Sequence, residues 1–328
     1  MSDFGAVANH EGRGHGKLIL LGEHAVVWGC PAIAASLGAG ATATIRGVSS
    51  DGATLIRVFE EDRPETPLFT TSPAPDGEAP IERAMSALMA RFPLTDPIDI
   101  DITLGIPPGA GLGSSAALAV AIADALGAAT GNRDADVIED AVAASEAIFH
   151  GNASGIDQAA AMGRGLFRFQ RDTGRARITP LDLPSFDVLV CQAASGASTA
   201  NMVAGVAARR QRHPKSVGLI GDAIESIVEE AIEAIRAEDL VRLGELCDLN
   251  HGLLASLGVS TQELDLACHL AREAGALGAK LTGAGGGGCV FAIVDAEEDR
   301  REAILTAWRA RGLRCFATTL GARTQERE

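Results

Sequence analysis

The sequence contains no tyrosine, and aromatic residues make up only 4% of it, whereas apolar residues as a whole make up 47%. The core must therefore be built mainly from Ala, Val, Leu and Ile, which is typical of a globular α/β protein. At 328 residues, the chain exceeds the length at which a single hydrophobic core usually stops growing. We therefore expect two domains, with one large domain as the alternative.

Basic residues are scarce, because 28 Lys and Arg face 43 Asp and Glu and give a formal net charge of -15. Polyanions are bound through Lys and Arg, so this deficit argues against a general affinity for nucleic acid or for an anionic membrane. A phosphate site in this chain would have to be local. It would use backbone N–H groups and a few chosen cations.

Closely spaced cysteines are missing as well. The six cysteines are scattered, without CxxC spacing or a small disulfide framework, which predicts free thiols in a reducing compartment. Residues 1–16 lack an apolar signal core, and no run of about 18 uncharged apolar residues occurs in the sequence. These absences predict a cytoplasmic protein.

Apolar periodicity and glycine punctuation predict strands and helices in alternation. The predicted strands are Lys17–Leu21, Ile98–Leu104, Leu166–Phe169, Phe186–Gln192, Ala279–Leu281 and Cys289–Val294. The predicted helices are Ser114–Ala129, Asp134–Phe149, Thr199–Gln211, Val217–Arg236, Leu240–Ser256 and Thr261–Ala274, followed by a final helix and strand. The Pro-rich and acidic stretch 60–80 is expected to be a long loop, either a surface excursion or a lid. Pro180 and Pro184 place the domain boundary near residue 180.

The most specific local pattern is a glycine-rich turn between a predicted strand and a predicted helix. Glycines let the backbone approach an anion closely, and a helix N-terminus favours negative charge, so the pattern predicts a phosphate site. Either serine of the pattern can cap the helix, or a serine hydroxyl there can hold Mg²⁺. The residues of this first glycine turn are Pro107, Pro108, Gly109, Ala110, Gly111, Leu112, Gly113, Ser114, Ser115 and Ala116.

Two other phosphate-binding motifs fit the sequence poorly. A Walker A loop needs GxxxxGK[ST], but the stretch 12–18 is one residue short and places Leu18 where the hydroxyl belongs. A dinucleotide fingerprint that starts at Gly109 needs a glycine at position 114, where Ser114 stands. That fingerprint also expects a second strand to follow, and here two predicted helices follow instead.

A second glycine cluster, residues 283–288, lies far along the chain between two predicted strands. A tight hairpin would need only one or two of its glycines, and five glycines in six positions carry a large entropic cost. The cluster therefore favours a loop that packs against a ligand or against another loop.

Two carboxylates, Glu146 and Asp157, flank the predicted loop 150–155. Phosphoryl transfer needs a divalent cation at the phosphates and a carboxylate at the nucleophilic hydroxyl, and this pair fits that division of labour. The same residues equally fit a Glu near a helix end and an Asp that caps the next helix. Lys17 and His24 are open to structural roles too, and the spacing of His and Cys does not support a zinc site.

Three segments together resemble the motifs of the GHMP kinases, in that family's order and over nearly the whole chain: residues 17–27, 107–117 and 280–289. Residues 22–27 and 146–157 are similar to the branch that phosphorylates mevalonate, rather than to galactokinases, homoserine kinases or phosphomevalonate kinases. The resemblance implies an α+β fold of two domains with the active site in the cleft between them. Residues 1–180 would form a ribosomal protein S5 domain 2-like domain, and residues 181–328 a ferredoxin-like domain.

The resemblance also implies roles for individual residues. Asp157 would contact the mevalonate 5-hydroxyl as base or electrostatic anchor, Lys17 would steady that carboxylate, and Glu146 and Ser115 would hold Mg²⁺. The first glycine turn, together with Gly285 and Gly286, would bind ATP. The residues expected to shape the substrate site are Glu23, His24, His150, Ser154, Thr199, Gly283 and Ala284.

Two positions depart from the family pattern. Trp28 stands where relatives usually carry His or Tyr, which puts the size of the substrate pocket in question, and Gln158 replaces a more usual Asn. The expected ligands are ATP, Mg²⁺ and mevalonate, without a nucleic-acid or membrane partner, and a homodimer is the family-level expectation. The alternative hypotheses are a GHMP kinase for another alcohol, a nicotinamide oxidoreductase and a non-catalytic ligand-binding relative.

Overall fold

The computed structural model describes residues 9–150, 155–172 and 175–321. Contacts within this part of the chain define two compact units that interleave in sequence. Unit 1 contains the described residues of 9–16, 39–108 and 113–163, and unit 2 contains those of 17–38, 109–112 and 164–321. The two predicted domains are instead continuous in sequence. Their division at residue 180 stays a prediction.

The strands lie in both units and are β1 (His10–Leu21), β2 (Ala32–Val48), β3 (Leu55–Glu60), β4 (Phe69–Thr71), β5 (Ile98–Leu104), β6 (Leu166–Asp172), β7 (Arg175–Pro180), β8 (Phe186–Ala194), β9 (Gly278–Leu281), β10 (Gly288–Ile293) and β11 (Arg314–Leu320). The α-helices are α1 (Pro80–Met89), α2 (Ser114–Thr130), α3 (Ala135–His150), α4 (Ile156–Ala161), α5 (Thr199–Arg212), α6 (Pro214–Arg236), α7 (Leu240–Ser256), α8 (Gln262–Glu273) and α9 (Glu298–Arg309). A 3₁₀ turn covers Ala25–Trp28. Within the described part of the chain, every helix is too short or too polar to cross a bilayer.

Unit 1 is a sheet covered by helices. Its strands follow the order β4-β3-β5-β2, with β3 parallel to β5 and the other neighbours antiparallel. In β5 the alternation predicted from the sequence is confirmed, because Ile98, Ile100 and Ile102 are fully buried while Asp99 and Asp101 between them are partly exposed. Helix α2 is buried along most of its length and contacts β5, α1, α3 and α4.

Strand β1 packs directly on the backbone of α2. A Cβ atom at Gly14 would lie 2.0 Å from the Ala117 carbonyl oxygen, and one at Gly12 would lie 2.2 Å from the Ala121 carbonyl oxygen. These glycines, which resemble part of a Walker A loop in the sequence, therefore serve the close approach of a strand to a helix.

We expect the substitution Gly14→Ala to destabilise the protein by about 3 kcal/mol or more, because its Cβ meets backbone atoms that have nowhere to move. Denaturant unfolding of the variant measures the loss. Gly252→Ala is the matched control, since Gly252 lies in α7 and no described atom lies within 4 Å of the added Cβ. That control should stabilise the protein by about 0.5–1 kcal/mol. Equal stability of the two variants would contradict the close packing.

Unit 2 is built around four antiparallel strands in the order β11-β8-β10-β9. Numbered along the chain, this order is 4-1-3-2, with helices between the first and second and between the third and fourth strands. That arrangement is the split βαβ pattern of ferredoxin-like folds. The helices bury a core that includes Trp308, whose Nε1 donates to the Ala267 carbonyl at 2.8 Å.

Helix α7 approaches the sheet of unit 2 at two glycines. A Cβ at Gly244 would lie 2.3 Å from the Leu277 carbonyl oxygen, and one at Gly278 would lie 2.0 Å from the Gly244 carbonyl oxygen. The first residues of β2 pair with β6, which pairs in turn with β7, and β11 meets β2 at Leu37. The long strands β1 and β2 each contribute residues to both units.

Candidate active site

The first glycine turn has the backbone conformation that its glycines allow. Gly109, Gly111 and Gly113 have φ angles of 70°, 81° and 74°, which other residues rarely adopt. Between them, Ala110 and Leu112 are buried and anchor the turn. No described atom lies within 4 Å of a Cβ added at Gly109 or Gly111. The turn is therefore held from one side and open on the side of its two exposed glycines.

The two serines of the pattern begin α2 without capping it. The N-cap residue is Gly113, which has no side chain with which to cap the helix. The first helical bond runs from the Ala117 N–H to the Gly113 carbonyl at 3.0 Å. The N–H groups of Ser114 and Ser115 precede that bond, and such N–H groups at a helix N-terminus suit an anion.

The second glycine cluster lies against the first glycine turn inside unit 2. A Cβ at Gly288 would lie 3.1 Å from the Ala110 carbonyl oxygen, and one at Gly283 would lie 4.0 Å from the Gly111 carbonyl oxygen. The Lys17 N–H donates to the Leu112 carbonyl at 2.7 Å, which joins β1 to the same turn. Two glycine segments that are distant in sequence are thus brought together.

Several glycines of the second cluster are required by the protein's own packing. A Cβ at Gly285 would lie 2.2 Å from the Val259 carbonyl oxygen, and one at Gly286 would lie 2.7 Å from the Met202 sulfur. Both residues also have positive φ angles, 75° and 70°. The packing of the protein therefore accounts for glycine at both positions, whether or not their backbone also contacts a nucleotide.

The turn after β1 is hydrogen-bonded to the second glycine cluster. His24 Nε2 donates to the Ala284 carbonyl at 2.8 Å, with the proton placed on Nε2 because a carbonyl can only accept. Burial lowers the pKa of His24, and this effect exceeds the opposing effects of that hydrogen bond and of the Glu23 charge. The neutral His24 ring therefore acts as a donor to the cluster at neutral pH.

Two further contacts join the same segments. Thr282 Oγ1 donates to the Ile19 carbonyl at 2.9 Å and accepts from the Ile19 N–H at 3.1 Å. The Glu23 carboxylate accepts from Lys280 Nζ at 2.5 Å. Lys280 and Thr282 belong to segment 280–289, which resembles a GHMP kinase motif, but no role was predicted for either residue. A lone Lys in the short apolar strand β9 is a signal that a buried partner exists.

Unit 1 carries the predicted carboxylates on neighbouring helices. Glu146 lies in α3 and is 5% exposed, and Asp157 lies in the first turn of α4, directly after the N-cap Gly155. Gln158 Nε2 donates to the Glu139 carbonyl at 2.8 Å and so attaches α4 to α3, which gives this departure from the family pattern a structural role. Both helices contact α2, whose first turn carries Ser114 and Ser115.

Three further residues were predicted to contact the acceptor: Thr199, Ser154 and His150. Thr199 is the first residue of α5 in unit 2 and is exposed. Ser154 lies outside the described residues, and so does the side chain of His150.

Trp28 stacks with Arg210, whose guanidinium carbon lies 4.7 Å from the ring centre. It lines a cavity with Cys30 and α6 residues that includes none of the predicted substrate residues.

All six cysteines are free thiols. Burial raises the pKa of Cys247, Cys268 and Cys289 to about 12, so these thiols stay protonated and unreactive at neutral pH.

Comparison with known proteins identifies both halves of the chain. Residues 79–165 match the family model of the GHMP kinases N terminal domain, and residues 231–313 match that of the GHMP kinases C terminal. The mevalonate kinase of Methanothermobacter thermautotrophicus is 38% identical over 84% of this chain and 87% of that protein. The mevalonate kinase of Pyrococcus horikoshii is 35% identical over 84% of this chain and 86% of that protein.

Among solved structures, the L. major mevalonate kinase in complex with R-mevalonate superposes with a TM-score of 0.81 at 28% identity. The match covers 95% of this chain and 96% of that structure. Together with the two family matches, this confirms the predicted two-domain α+β fold class.

Proposed function

The chain belongs to the GHMP kinase family, and from that premise we propose that it is an ATP-dependent mevalonate kinase. It would transfer the γ-phosphoryl group of ATP to the 5-hydroxyl of (R)-mevalonate and release 5-phosphomevalonate and ADP. The observation that carries this proposal is the similarity to mevalonate kinases over more than four fifths of the chain. The meeting of the two glycine segments supports the phosphate-binding part of it.

The first glycine turn is the proposed phosphate site. The open sides of Gly109 and Gly111 leave room for an anion close to the backbone, and the N-terminal N–H groups of α2 supply donors for its oxygens. Because phosphoryl transfer depends mainly on positioning and on neutralising charge, such fixed donors account for much of the expected catalysis. The second glycine cluster, which packs on the turn, would hold it in shape.

Glu146 and Ser115 are the proposed holders of Mg²⁺. Their carboxylate and hydroxyl oxygens are hard donors, and Mg²⁺ usually takes only one or two protein carboxylates together with substrate phosphates and water. The described residues contain no cluster of three His, Cys, Asp or Glu, so this donor set suits Mg²⁺ better than a metal that needs a full protein cage. When bound, Mg²⁺ neutralises negative charge on the phosphates.

Asp157 and Lys17 are the proposed catalytic residues. In the first turn of α4, the Asp157 carboxylate would accept the proton of the attacking hydroxyl or hold that hydroxyl in line. Lys17 would steady the negative charge that develops during transfer. Contacts with the acceptor are proposed for His24, His150, Ser154, Thr199, Gly283 and Ala284, whereas the role proposed for Glu23 at the acceptor site is indirect, because its carboxylate is buried.

The proposal extends to the organisation of the protein. We propose the sequence domains 1–180 and 181–328, a homodimer and a cytoplasmic location. The free state of all six cysteines supports a reducing compartment.

The function is tested by ADP release from the purified protein with ATP, Mg²⁺ and a panel of acceptors. We expect release to require mevalonate and to be far slower with galactose, homoserine or phosphomevalonate. Mass spectrometry of the product should show one added phosphoryl group. Faster ADP release with another compound of the panel would show that this compound, and not mevalonate, is the acceptor. Absence of any acceptor-dependent release would refute the proposal that the protein is a kinase.

A further inference from the structure

Lys280 is a charged residue in a fully buried strand. Its side chain is 0% exposed, and Nζ donates to Glu23 Oε1 at 2.5 Å and to the Leu281 carbonyl at 2.7 Å. The same ammonium lies 5.2 Å from the centre of the Phe291 ring, where cation–π attraction adds to the ion pair. The Glu23 side chain is only 1% exposed, so the whole pair is removed from water.

Stability alone explains this pair poorly. Removing two charges from water is costly, and packed apolar residues can often replace a buried ion pair without loss of stability. Glu23 Oε2, moreover, is buried and has no hydrogen-bond partner among the described residues, which adds to the cost. Such an arrangement is expected where a group must be held in one orientation.

Lys280 is the cation paired with Glu23, whereas Arg272, another cation near β9, pairs with Asp248 at 2.7 Å. Burial lowers the pKa of His24 and raises that of the nearby Cys247 thiol to about 12, so both neighbours are uncharged at neutral pH. His251, whose Nδ1 accepts from the Leu281 N–H at 3.4 Å, is also neutral, because burial lowers its pKa as well. A substitution at Lys280 would therefore remove the charge partner of this buried carboxylate.

Two other contacts join the end of β1 and the turn after it to the same segment as Lys280. Thr282 is hydrogen-bonded to Ile19, and His24 is hydrogen-bonded to Ala284. His24 has a φ angle of 60°, which is strained for a residue with a side chain, so its conformation must be imposed by its surroundings. The ion pair acts on the residue directly before this strained position.

We propose that Lys280 is a positioning residue for the acceptor substrate. Through its ion pair with Glu23, it fixes the strained turn on the second glycine cluster and thereby sets the positions of His24 and Ala284. Glu23 is the other half of this connection rather than a direct substrate contact, because its carboxylate is buried. This inference rests on the proposed function in that His24 and Ala284 are taken as acceptor-site residues.

A double-mutant cycle with Glu23→Gln, Lys280→Met and the double variant tests the proposal. We expect each of the three to raise KM for the acceptor by about tenfold or more and to leave KM for ATP within about twofold. The double variant should be no worse than the worse single variant, because either substitution already breaks the same connection. The thermal midpoint of the double variant should be higher than that of either single variant and close to that of the wild type, since the double variant contains no unpaired buried charge.

Recovery of stability without recovery of the acceptor KM separates positioning from a purely structural role. If the double variant regains the wild-type KM together with its stability, the pair only stabilises the fold and the proposal is wrong. A raised KM in Glu23→Gln alone, with Lys280→Met unaffected, would also overturn it and return Glu23 to direct contact. Should Lys280→Met fail to fold, comparison of the double variant with the wild type decides.

The acceptor panel keeps this test separate from the test of function. If the wild-type protein prefers another alcohol, the mevalonate kinase proposal fails, and the same cycle measured with that alcohol still decides the role of Lys280. Trp308→Phe is the matched control for general loss of stability, because it removes a buried hydrogen bond elsewhere in unit 2. That variant should lower the thermal midpoint and leave the acceptor KM unchanged.

Discussion

Asp157→Asn is expected to lower kcat by at least about a hundredfold and to leave ATP binding nearly intact. A positioned proton acceptor typically contributes about 10² to 10⁴ in rate, and the amide cannot take up the proton of the attacking hydroxyl. The side chain keeps its size, so the phosphate site should keep its shape. Steady-state rates with saturating mevalonate, together with calorimetric titration of ADP, measure the two effects separately.

Asp136→Asn is the control for this substitution. Asp136 lies in the first turn of α3, as Asp157 lies in the first turn of α4, and it is exposed. Both variants lose one negative charge near a helix N-terminus, which costs about 0.3–1 kcal/mol of stability. We expect the control to lose that stability and to keep its kcat. Near-normal turnover in Asp157→Asn would remove this residue from the mechanism.

Local sequence patterns predicted the elements whose burial is periodic and self-contained. Strand β5 and helix α7 have the predicted bounds, α2 ends one residue later than predicted, and α3 is shifted by one residue at both ends. In β5 the alternation of Ile and polar residues is enough to define a half-buried strand. Long apolar helices are defined nearly as well by their own sequence, although α6 begins at Pro214, three residues before the predicted Val217.

Some of the elements that were missed depend on partners distant in the chain. Strand β2 is rich in Ala and Gly and lacks clear alternation, yet it is a long strand because β5 and β6 supply its hydrogen bonds. In β1 the glycine-rich stretch before Lys17 continues the strand because α2 lies against it. Single-sequence periodicity contains no information about such neighbours.

The candidate site shows the same division. Glycines at fixed spacing between a strand and a helix indicate a phosphate site from a short stretch of sequence, so the first glycine turn could be predicted. The partner of Lys280 could not be predicted in this way, because Glu23 lies 257 residues earlier in the chain. Only the folded sheet of unit 2 brings the two together, and a lone Lys in an apolar strand indicates a partner without identifying it.

Glu146→Gln is expected to raise the Mg²⁺ concentration for half-maximal activity by about tenfold or more, with kcat partly restored at high Mg²⁺. The substitution keeps the shape of a side chain that is 5% exposed and removes the negative charge that a hard cation prefers. Activity measured against free Mg²⁺ at fixed ATP gives the shift. Calorimetric titration of ADP with and without Mg²⁺ gives an independent readout, in which the gain in affinity from Mg²⁺ should shrink.

Asp140→Asn separates a local effect on the metal from a general effect of charge. Asp140 lies on the same helix, its side chain is 66% exposed, and it pairs with Arg91 at the surface at 2.6 Å. Exposed pairs contribute about 0–1 kcal/mol to stability, so the control should fold and should show the wild-type Mg²⁺ dependence. If Glu146→Gln has that same wild-type dependence, Glu146 does not hold the cation. The buried carboxylate would then have to be explained by the packing of α3 against α2.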